Sequence, residues 1–309
     1  LAAIAEVEAD DRVCGAVLIG AGGSFISGSD IREFDLPLGP PQMPQVIGAI
    51  ETATKPFVAA LHGAALGGGY ELALGCDARI AAPKTMIGLP ETALGIIPGA
   101  GGTQKLPRLI GRAAALDLIT KATRVDAEKA HALGMVDAVV PGDLRRAAVD
   151  LARTYAGRKR RVIDLPVRDE SGVEAALARA TRNARPHVLA AIHHICQAGN
   201  VPADVGLAAE RETFQRLRIA PEAKALRHIF FAEREAARGK PGRAVKPRSV
   251  DLFGVIGSGT MGAGIATAIL QAGKPVVLID TDPAALAKAI ARIEGAIDTG
   301  VARGRLTAA

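Results

Sequence analysis

The sequence predicts an α/β fold, because short apolar runs of strand length alternate with longer segments of helical pattern. Two such runs, VCGAVLIGAG (13–22) and KPFVAALHG (55–63), end at glycine, as buried strands commonly do. A third region, 250–282, gives strand, glycine-rich turn, helix and strand in succession. Strands are therefore expected near both ends of the chain.

The remaining elements continue this alternation in the first half of the chain. Residues 1–10 and 45–54 have helical patterns, and a further helix is expected from about Gly69. The segments DARIAA (77–82) and MVDAVV (135–140) are expected to be short strands.

Helices are expected to dominate from Gly111 onward. Gly134 is predicted to be a helix C-cap and Asp143 a helix N-cap, because these residue types satisfy the unpaired groups at helix ends. The predicted helical segments are 111–122, 126–134, 143–157 and most of 172–238, with breaks at Pro186, Pro202 and Pro221.

Length and composition indicate two globular domains with aliphatic cores. The chain has 309 residues, of which 49% are hydrophobic and only 3% aromatic, and tryptophan is absent. No apolar run reaches the length needed to span a membrane. The chain begins without methionine and inside a helical pattern, so we expect it to be part of a longer protein.

The net charge of +6 raises the question of nucleic-acid binding. The basic clusters, at 157–161 and 239–248, contain no interleaved aromatic residues, which argues against that class of protein. Solvated linkers or electrostatic attraction of an anionic substrate explain the charge better.

The cysteines and histidines predict neither disulfides nor metal. Cys14, Cys76 and Cys196 are scattered without a CxxC motif, which is typical of a reducing compartment, and Cys76 is expected to be a small core residue. His193 and His194 are adjacent, so on a helix they face different ways, and no metal site is expected.

Two glycine-rich turns, each associated with a glutamate, form the strongest candidate site. HGAALGGGYELALGCD (62–77) contains Glu71, and GLPETALGIIPGAGGTQ (88–104) contains Glu91. If a helix begins near Gly68, the N–H of that residue points at a ligand, with Glu71 one turn further on. Two carboxylates beside N–H donors suit acid–base chemistry next to a thioester carbonyl.

These two segments resemble the enoyl-CoA hydratase/isomerase (crotonase) superfamily. The resemblance covers roughly residues 1–235 and includes SGSDIREF (27–34), GMVDAVV (134–140) and GLAAERETFQRL (206–217). It implies a ββα spiral core and a coenzyme A thioester as the substrate.

The resemblance also implies roles for individual residues. The backbone N–H groups of Ser29 and Gly68 would form the oxyanion hole, although many members carry alanine in place of Ser29. Glu71 would activate the water that attacks the β-carbon, and Glu91 would protonate the α-carbon. Having both glutamates points to hydration, with isomerisation as an additional activity.

Three alternatives remain open at this point. The chain could catalyse only double-bond isomerisation, or it could catalyse another thioester reaction such as hydrolysis. It could also be non-catalytic, either as a module that binds coenzyme A or NAD or as a partial gene product that does not fold.

A second candidate site lies in 254–266, GVIGSGTMGAGIA. Gly257, Gly259 and Gly262 form a G-x-G-x-x-G between a strand and a helix, and Asp280 follows Gly257 by 23 residues at the end of the next strand. Gly257 makes the turn, Gly259 admits a pyrophosphate and Gly262 allows close packing. Asp280 would bond the ribose hydroxyls and repel a 2′-phosphate, which favours NAD over NADP.

Thr260 and Met261, inside this turn, complete the predicted NAD-binding set. The segment resembles the start of 3-hydroxyacyl-CoA dehydrogenases. A hydratase unit followed by a helical linker and this unit is the order of the multifunctional enzymes of fatty-acid β-oxidation.

The expected organisation has three parts. A crotonase-like core occupies residues 1–165, a helical extension and linker 166–248, and the first part of a Rossmann NAD-binding domain 249–309. The resemblance implies either a monomer or a thiolase partner. It also implies a bacterial cytoplasmic or a peroxisomal location, which the ends of the chain do not reveal.

Overall fold

A computed structural model describes residues 1–168, 171–238, 248–302 and 306. The chain divides into two compact units, Leu1–Gly239 and Lys240–Ala309.

The described residues of the first unit form seven strands, which are β1 (Ala16–Ile19), β2 (Phe57–Leu61), β3 (Ala64–Leu66), β4 (Ala78–Ala81), β5 (Met86–Gly88), β6 (Arg124–Val125) and β7 (Ala138–Val139). They form two sheets. One sheet is parallel with the order β1-β2-β4-β7, and the other has the order β3-β5-β6. Because β2 and β3 are joined by only two residues yet belong to different sheets, the chain passes from one sheet to the other just before α3. This two-sheet arrangement agrees with the spiral core that the resemblance implied.

The α-helices of this unit are α1 (Ala2–Ala9), α2 (Met43–Thr52), α3 (Gly68–Leu74), α4 (Gly102–Ile110), α5 (Arg112–Thr120), α6 (Ala127–Leu133), α7 (Leu144–Thr154), α8 (Val173–Thr181), α9 (Pro186–Gln197), α10 (Ala203–Arg218) and α11 (Pro221–Arg238). Short 3₁₀ helices lie at Ile31–Asp35, Glu91–Leu94 and Val162–Asp164.

The helix ends follow the predicted chemistry. Asp143 caps α7 by accepting a hydrogen bond from the Arg146 N–H, and Gly134 ends α6 in the left-handed conformation at φ 88°. The breaks predicted at Pro186, Pro202 and Pro221 separate α8, α9, α10 and α11.

The strands differ from the sequence expectation in two respects. The region around β1 was expected to be a buried strand, but β1 is only half-buried, because it is an edge strand that pairs with β2 alone among the described strands. Strands β3, β5 and β6 were not predicted, because two or three residues are too few to show a period of two.

The core of the first unit is aliphatic, as the composition indicates. Strand β2 is buried throughout, and the helices packed around the sheets contribute mainly alanine, leucine and isoleucine. Tyr70 is fully buried, and its hydroxyl donates to the carbonyl of Met135 at 2.9 Å, which anchors α3 to the segment before β7.

The second unit contains β8 (Phe253–Ile256), α12 (Thr260–Gln271), β9 (Val276–Ile279) and α13 (Pro283–Ala302). The two strands form a parallel pair joined through α12, which is the predicted strand–turn–helix–strand unit. The core of this unit is small, and Ile256 is 88% exposed. None of the helices in the described part of the chain is long and apolar enough to cross a membrane.

Candidate functional site

The first glycine turn joins β3 to α3 and draws a distant loop toward the helix start. Gly67 adopts φ 53°, and its N–H donates to the carbonyl of Gly88 at 2.9 Å. A Cβ at Gly69 would lie 2.2 Å from the carbonyl oxygen of Ile26, so only glycine permits the 26–30 loop to approach this closely.

This approach brings Ser29 next to Gly68. A Cβ at Gly68 would lie 3.2 Å from the Oγ of Ser29. Within the described residues, no acceptor bonds to the backbone N–H of either residue. The arrangement can therefore offer two N–H donors to a developing negative charge.

Glu71 lies in the first turn of α3 and is 4% exposed. Its Oε1 accepts hydrogen bonds from the N–H groups of Ala100 at 2.7 Å and Gly102 at 2.9 Å. Both donors belong to the second glycine turn, at the start of α4. These two bonds stabilise the ionised form of the carboxylate.

Glu91 is 8% exposed and begins a short 3₁₀ helix. A Cβ at Gly67 would lie 3.1 Å from Glu91 Oε1, so this carboxyl lies against the first glycine turn. Its Oε2 is buried and has no hydrogen-bond partner among the described residues. Such an oxygen is costly to leave charged and therefore favours the protonated form.

Each glutamate thus contacts the glycine turn of the other segment. Sequence proximity paired Glu71 with the first turn and Glu91 with the second, whereas the Glu71 carboxylate bonds to the second turn and Glu91 lies against the first. Each segment supplies one carboxyl and also the glycine turn that the other carboxyl contacts. Both segments are therefore needed to build a single site.

The surroundings of the two carboxyls give them different pKa values. Burial raises the pKa of Glu71, and the N–H bonds from Ala100 and Gly102 act in the opposite direction. Burial raises the pKa of Glu91 well above its ordinary value, and the charge of Glu71 raises it further. Glu71 is accordingly the group that loses its proton first, and Glu91 is the group that retains one.

A third carboxyl, Glu210 of α10, adjoins the same turn. It is fully buried, and it accepts hydrogen bonds from the N–H groups of Gly101 at 2.5 Å and Thr103 at 2.7 Å. This residue belongs to segment 206–217, which carries part of the family resemblance, but it was not predicted to be a site residue. One sequence signal was available. Glu210 lies at helical spacing from Leu207 and Phe214, and a helix face with apolar residues at this spacing is expected to be buried.

The second unit assembles the predicted dinucleotide turn. Gly257 has φ 96°, and a Cβ at Gly262 would lie 1.8 Å from the carbonyl oxygen of Gly257, so both positions require glycine. A Cβ at Gly259 would meet nothing within 4 Å, which leaves open space at the start of α12. Thr260 begins that helix, and Met261 is 77% exposed beside it.

Asp280 follows β9, as predicted, but it also bonds within the protein. One of its oxygens accepts from the Ser258 N–H at 2.6 Å and hydroxyl at 2.5 Å, and the other accepts from the Asp282 N–H at 3.0 Å. The hydrogen bond from the Ser258 hydroxyl is the main cause that lowers the pKa of Asp280 to about 2. An anionic carboxylate retains acceptor capacity beyond these three bonds for a ribose hydroxyl.

The remaining candidates have structural environments. Cys76 is buried, and burial raises the pKa of its thiol to about 12, which leaves it a core residue. His194 Nε2 lies 2.9 Å from the hydroxyl of Thr213. In the described ranges, no three histidine, cysteine or acidic side chains come close enough together to hold a metal ion.

Comparison with protein families gives two matches. The family described as enoyl-CoA hydratase/isomerase matches residues 1–165, and the NAD-binding domain of 3-hydroxyacyl-CoA dehydrogenase matches residues 253–309.

Curated relatives contain both parts in one chain. A peroxisomal fatty acid beta-oxidation multifunctional protein from Arabidopsis thaliana is 39% identical over an alignment of 318 residues, and the match covers 94% of this chain and 43% of that protein. The peroxisomal bifunctional enzyme of Homo sapiens is 38% identical over an alignment of 300 residues, and the match covers 91% of this chain and 41% of that enzyme. The chain therefore spans less than half the length of these relatives.

Solved structures share the fold. An enoyl-CoA hydratase/isomerase from Pseudoalteromonas atlantica matches with a TM-score of 0.54 and 22% identity, covering 75% of this chain and 84% of that one. The structure of OdaA from Pseudomonas aeruginosa matches with a TM-score of 0.52 and 25% identity, covering 74% and 85%.

Proposed function

The chain belongs to the enoyl-CoA hydratase/isomerase family, and from this premise we propose that its first unit hydrates trans-2-enoyl-CoA thioesters to 3-hydroxyacyl-CoA. The observation that carries the proposal is the pair of buried carboxyls in unlike environments. Glu71 accepts two backbone N–H bonds, whereas Glu91 has a buried oxygen without a partner among the described residues. One base and one acid are what the addition of water to a conjugated double bond requires.

In the proposed reaction, Glu71 removes a proton from water as the water oxygen bonds to the β-carbon. The electrons of the double bond shift toward the thioester, whose oxygen becomes an enolate. Glu91 then transfers its proton to the α-carbon, which restores the thioester carbonyl. Exchange with solvent returns the proton gained by Glu71 and replaces the one lost by Glu91.

The N–H groups of Gly68 and Ser29 are proposed to hold the enolate oxygen. Their proximity supports this role, and so does the absence of an acceptor for either group within the described residues. Because the donors belong to the backbone, a serine in place of alanine at position 29 leaves the donor unchanged. Such preorganised donors typically contribute about 10²–10³-fold to the rate.

We propose that the second unit belongs to a dehydrogenase that oxidises the 3-hydroxy product in the whole protein. The open space at Gly259, the start of α12 and the anionic Asp280 fit the pyrophosphate and ribose of NAD. NAD supplies the hydride acceptor for that oxidation. The proposed organisation keeps the hydratase core at 1–165, the helical extension and linker at 166–248 and the NAD-binding part at 249–309.

The rate of hydration should depend on pH in a bell-shaped manner. As pH falls through the raised pKa of Glu71, the base becomes protonated and the rate declines. As pH rises through the pKa of Glu91, which lies well above its ordinary value, the acid is lost and the rate declines again. Initial rates of hydration across the pH range check this, and a profile with only one declining limb would contradict the division of roles.

Asp280→Asn should weaken binding of NADH by about 10–100-fold, because the bond between a charged carboxylate and a ribose hydroxyl is weakened. The preference for NADH over NADPH should also decrease, since the negative charge that repels a 2′-phosphate is removed. Fluorescence titration of both dinucleotides in the intact protein measures each effect. Asp251→Asn, at an exposed site elsewhere in this unit, serves as the control. Unchanged NADH affinity in Asp280→Asn would remove Asp280 from the site.

The alternative activities are separable by substrate. Supplying 2-enoyl and 3-enoyl thioesters separately distinguishes hydration from isomerisation, and the appearance of free coenzyme A reveals hydrolysis. We expect hydration of the 2-enoyl thioester to be the main activity. Stabilisation by an acyl-CoA without any conversion would instead support a binding module.

Partners and compartment rest on the family resemblance and on the names of the relatives. Several relatives are named for the peroxisome. We propose a peroxisomal location in a eukaryotic host and a cytoplasmic one in a bacterium. A thiolase partner stays a prediction, which co-purification from the native source would test.

A further inference from the structure

One face of α10 covers the second glycine turn, 98–102. A Cβ at Gly99 would lie 2.3 Å from the ring of Phe214, and a Cβ at Gly101 would lie 3.1 Å from Leu207. This contact face is made by side chains spaced three and four apart, which are Leu207, Glu210, Arg211 and Phe214. The turn is thus enclosed by a helix that lies outside the 1–165 family match.

Four consecutive N–H groups, from Ala100 in this turn to Thr103 in the first turn of α4, alternate between two carboxyls. Those of Gly101 and Thr103 donate to Glu210, and the Thr103 hydroxyl donates to it as well. The N–H groups of Ala100 and Gly102 donate to Glu71. Successive backbone N–H groups therefore donate to different carboxyls. The backbone conformation that points two of these groups at Glu210 also points the other two at Glu71.

We propose that Glu210 is a positioning residue for the hydratase reaction: it fixes the second glycine turn so that the turn holds Glu71 in place as the base. The inference rests on the proposed function of Glu71. Glu210 touches neither substrate nor reacting atoms in this account and acts only through the turn.

Burial of Glu210 supports a role beyond packing. An apolar side chain would cover the turn without the cost of burying a carboxyl, but it would leave the N–H groups of Gly101 and Thr103 unpaired. Burial, together with the charge of Glu71, raises the pKa of Glu210 to about 8. In turn, Glu210 contributes to the raised pKa of Glu91.

The test is Glu210→Gln in the intact protein. Glutamine keeps the shape but presents only one acceptor oxygen, so one N–H of the turn loses its partner. We expect kcat for hydration to fall about 10–100-fold, while KM stays within about threefold of the wild-type value. This is the result expected when the orientation of Glu71 is lost and substrate binding is kept. Oxidation of 3-hydroxyacyl-CoA by the same protein should be unchanged.

The pH profile separates positioning from mere stabilisation. If the turn loosens, Glu71 loses N–H bonds that lower its pKa, and the acidic limb moves to higher pH. Removing the Glu210 charge lowers the pKa of Glu91, and the basic limb moves to lower pH. The pH range in which hydration is fast should therefore become narrower on both sides. A variant that only unfolds more easily would keep the wild-type profile.

Glu212→Gln is the matched control, because Glu212 lies on the same helix and is exposed. If Glu210→Gln and Glu212→Gln share the wild-type kcat and profile, the inference is overturned, whatever their melting temperatures. If Glu210→Gln does not fold, Thr103→Ala replaces it. That change keeps the Thr103 N–H bond to Glu210 and removes the hydroxyl bond, together with the 3.3 Å bond that the hydroxyl accepts from Gln104 Nε2. Because Thr103→Ala keeps the Glu210 carboxyl, only the acidic limb of the pH profile should move, to higher pH, with a drop in kcat of about 3–10-fold. An unchanged acidic limb would equally overturn the inference.

Failure of the proposed function gives a different result. A wild-type protein that does not hydrate 2-enoyl thioesters would refute the hydratase assignment itself. An active wild type with an unaffected Glu210→Gln would refute the positioning role alone.

Discussion

Glu91→Gln in the intact protein should reduce hydration of 2-enoyl-CoA by about 10³-fold while leaving NAD-dependent oxidation of 3-hydroxyacyl-CoA at the wild-type rate. Glutamine has nearly the volume of glutamate but carries no transferable proton, so the α-carbon loses its acid. Because the buried Oε2 of Glu91 has no hydrogen-bond partner in the described residues, the substitution breaks no bond there that stabilises the fold.

Both activities are measured on one preparation, so the oxidation rate is the internal control for folding. Substrate binding should persist, since the N–H groups of Ser29 and Gly68 are untouched. A parallel loss of the two activities would show that Glu91 supports the whole protein rather than one reaction. Full hydration activity in the variant would remove Glu91 from its role as the acid.

Glu71→Gln should have the second largest effect, a loss of hydration of about 10²–10⁴-fold, because the base that activates water becomes neutral. The amide oxygen of glutamine can still accept the N–H groups of Ala100 and Gly102, so the turn is expected to keep its conformation. The pKa of Glu91 should also fall, since the charge of Glu71 is one of its causes.

Glu71→Ala provides the comparison. It removes both the base and the acceptor, so it should lose hydration and also lower the melting temperature of the first unit. If Glu71→Gln retained normal hydration rates, the assignment of Glu71 as the base would be wrong. Equal melting temperatures for the two variants would contradict a structural contribution from the two N–H bonds.

The amino-acid sequence predicted most of the elements that carry the site. Helix α3 begins at Gly68, within one residue of the expected position, and the turn at 257–262 lies between a strand and a helix, as the motif requires. These features could be predicted because they are local. A positive φ value or a close backbone approach requires glycine, and glycine is visible in the sequence.

The pairing of carboxyls with turns could not be predicted in the same way. The bond from Ala100 to Glu71 spans 29 residues, and the bond from Thr103 to Glu210 spans 107. Such contacts depend on how α3, α4 and α10 pack together, and no sequence pattern encodes that packing. Glu210 therefore looked like one charged residue among several on a helix.

The short strands were missed for a different reason. Strands β3 and β5 have three residues each, and β6 has two, so their position comes from pairing with one another rather than from local preference. Yet β3 and β5 position the site, since Gly67 follows β3 and bonds to Gly88 at the end of β5.

The proposed hydratase reaction requires water to add across the double bond at a site containing Glu71 and Glu91. It is tested most directly by incubating the intact protein with a trans-2-enoyl-CoA thioester in heavy-oxygen, deuterated water without NAD and analysing the product by mass spectrometry and NMR. We expect 3-hydroxyacyl-CoA with labelled oxygen on the β-carbon and one deuterium on the α-carbon, and almost none of this product from Glu91→Gln. A product with a shifted double bond and no labelled oxygen, or a labelled free acid, would contradict it.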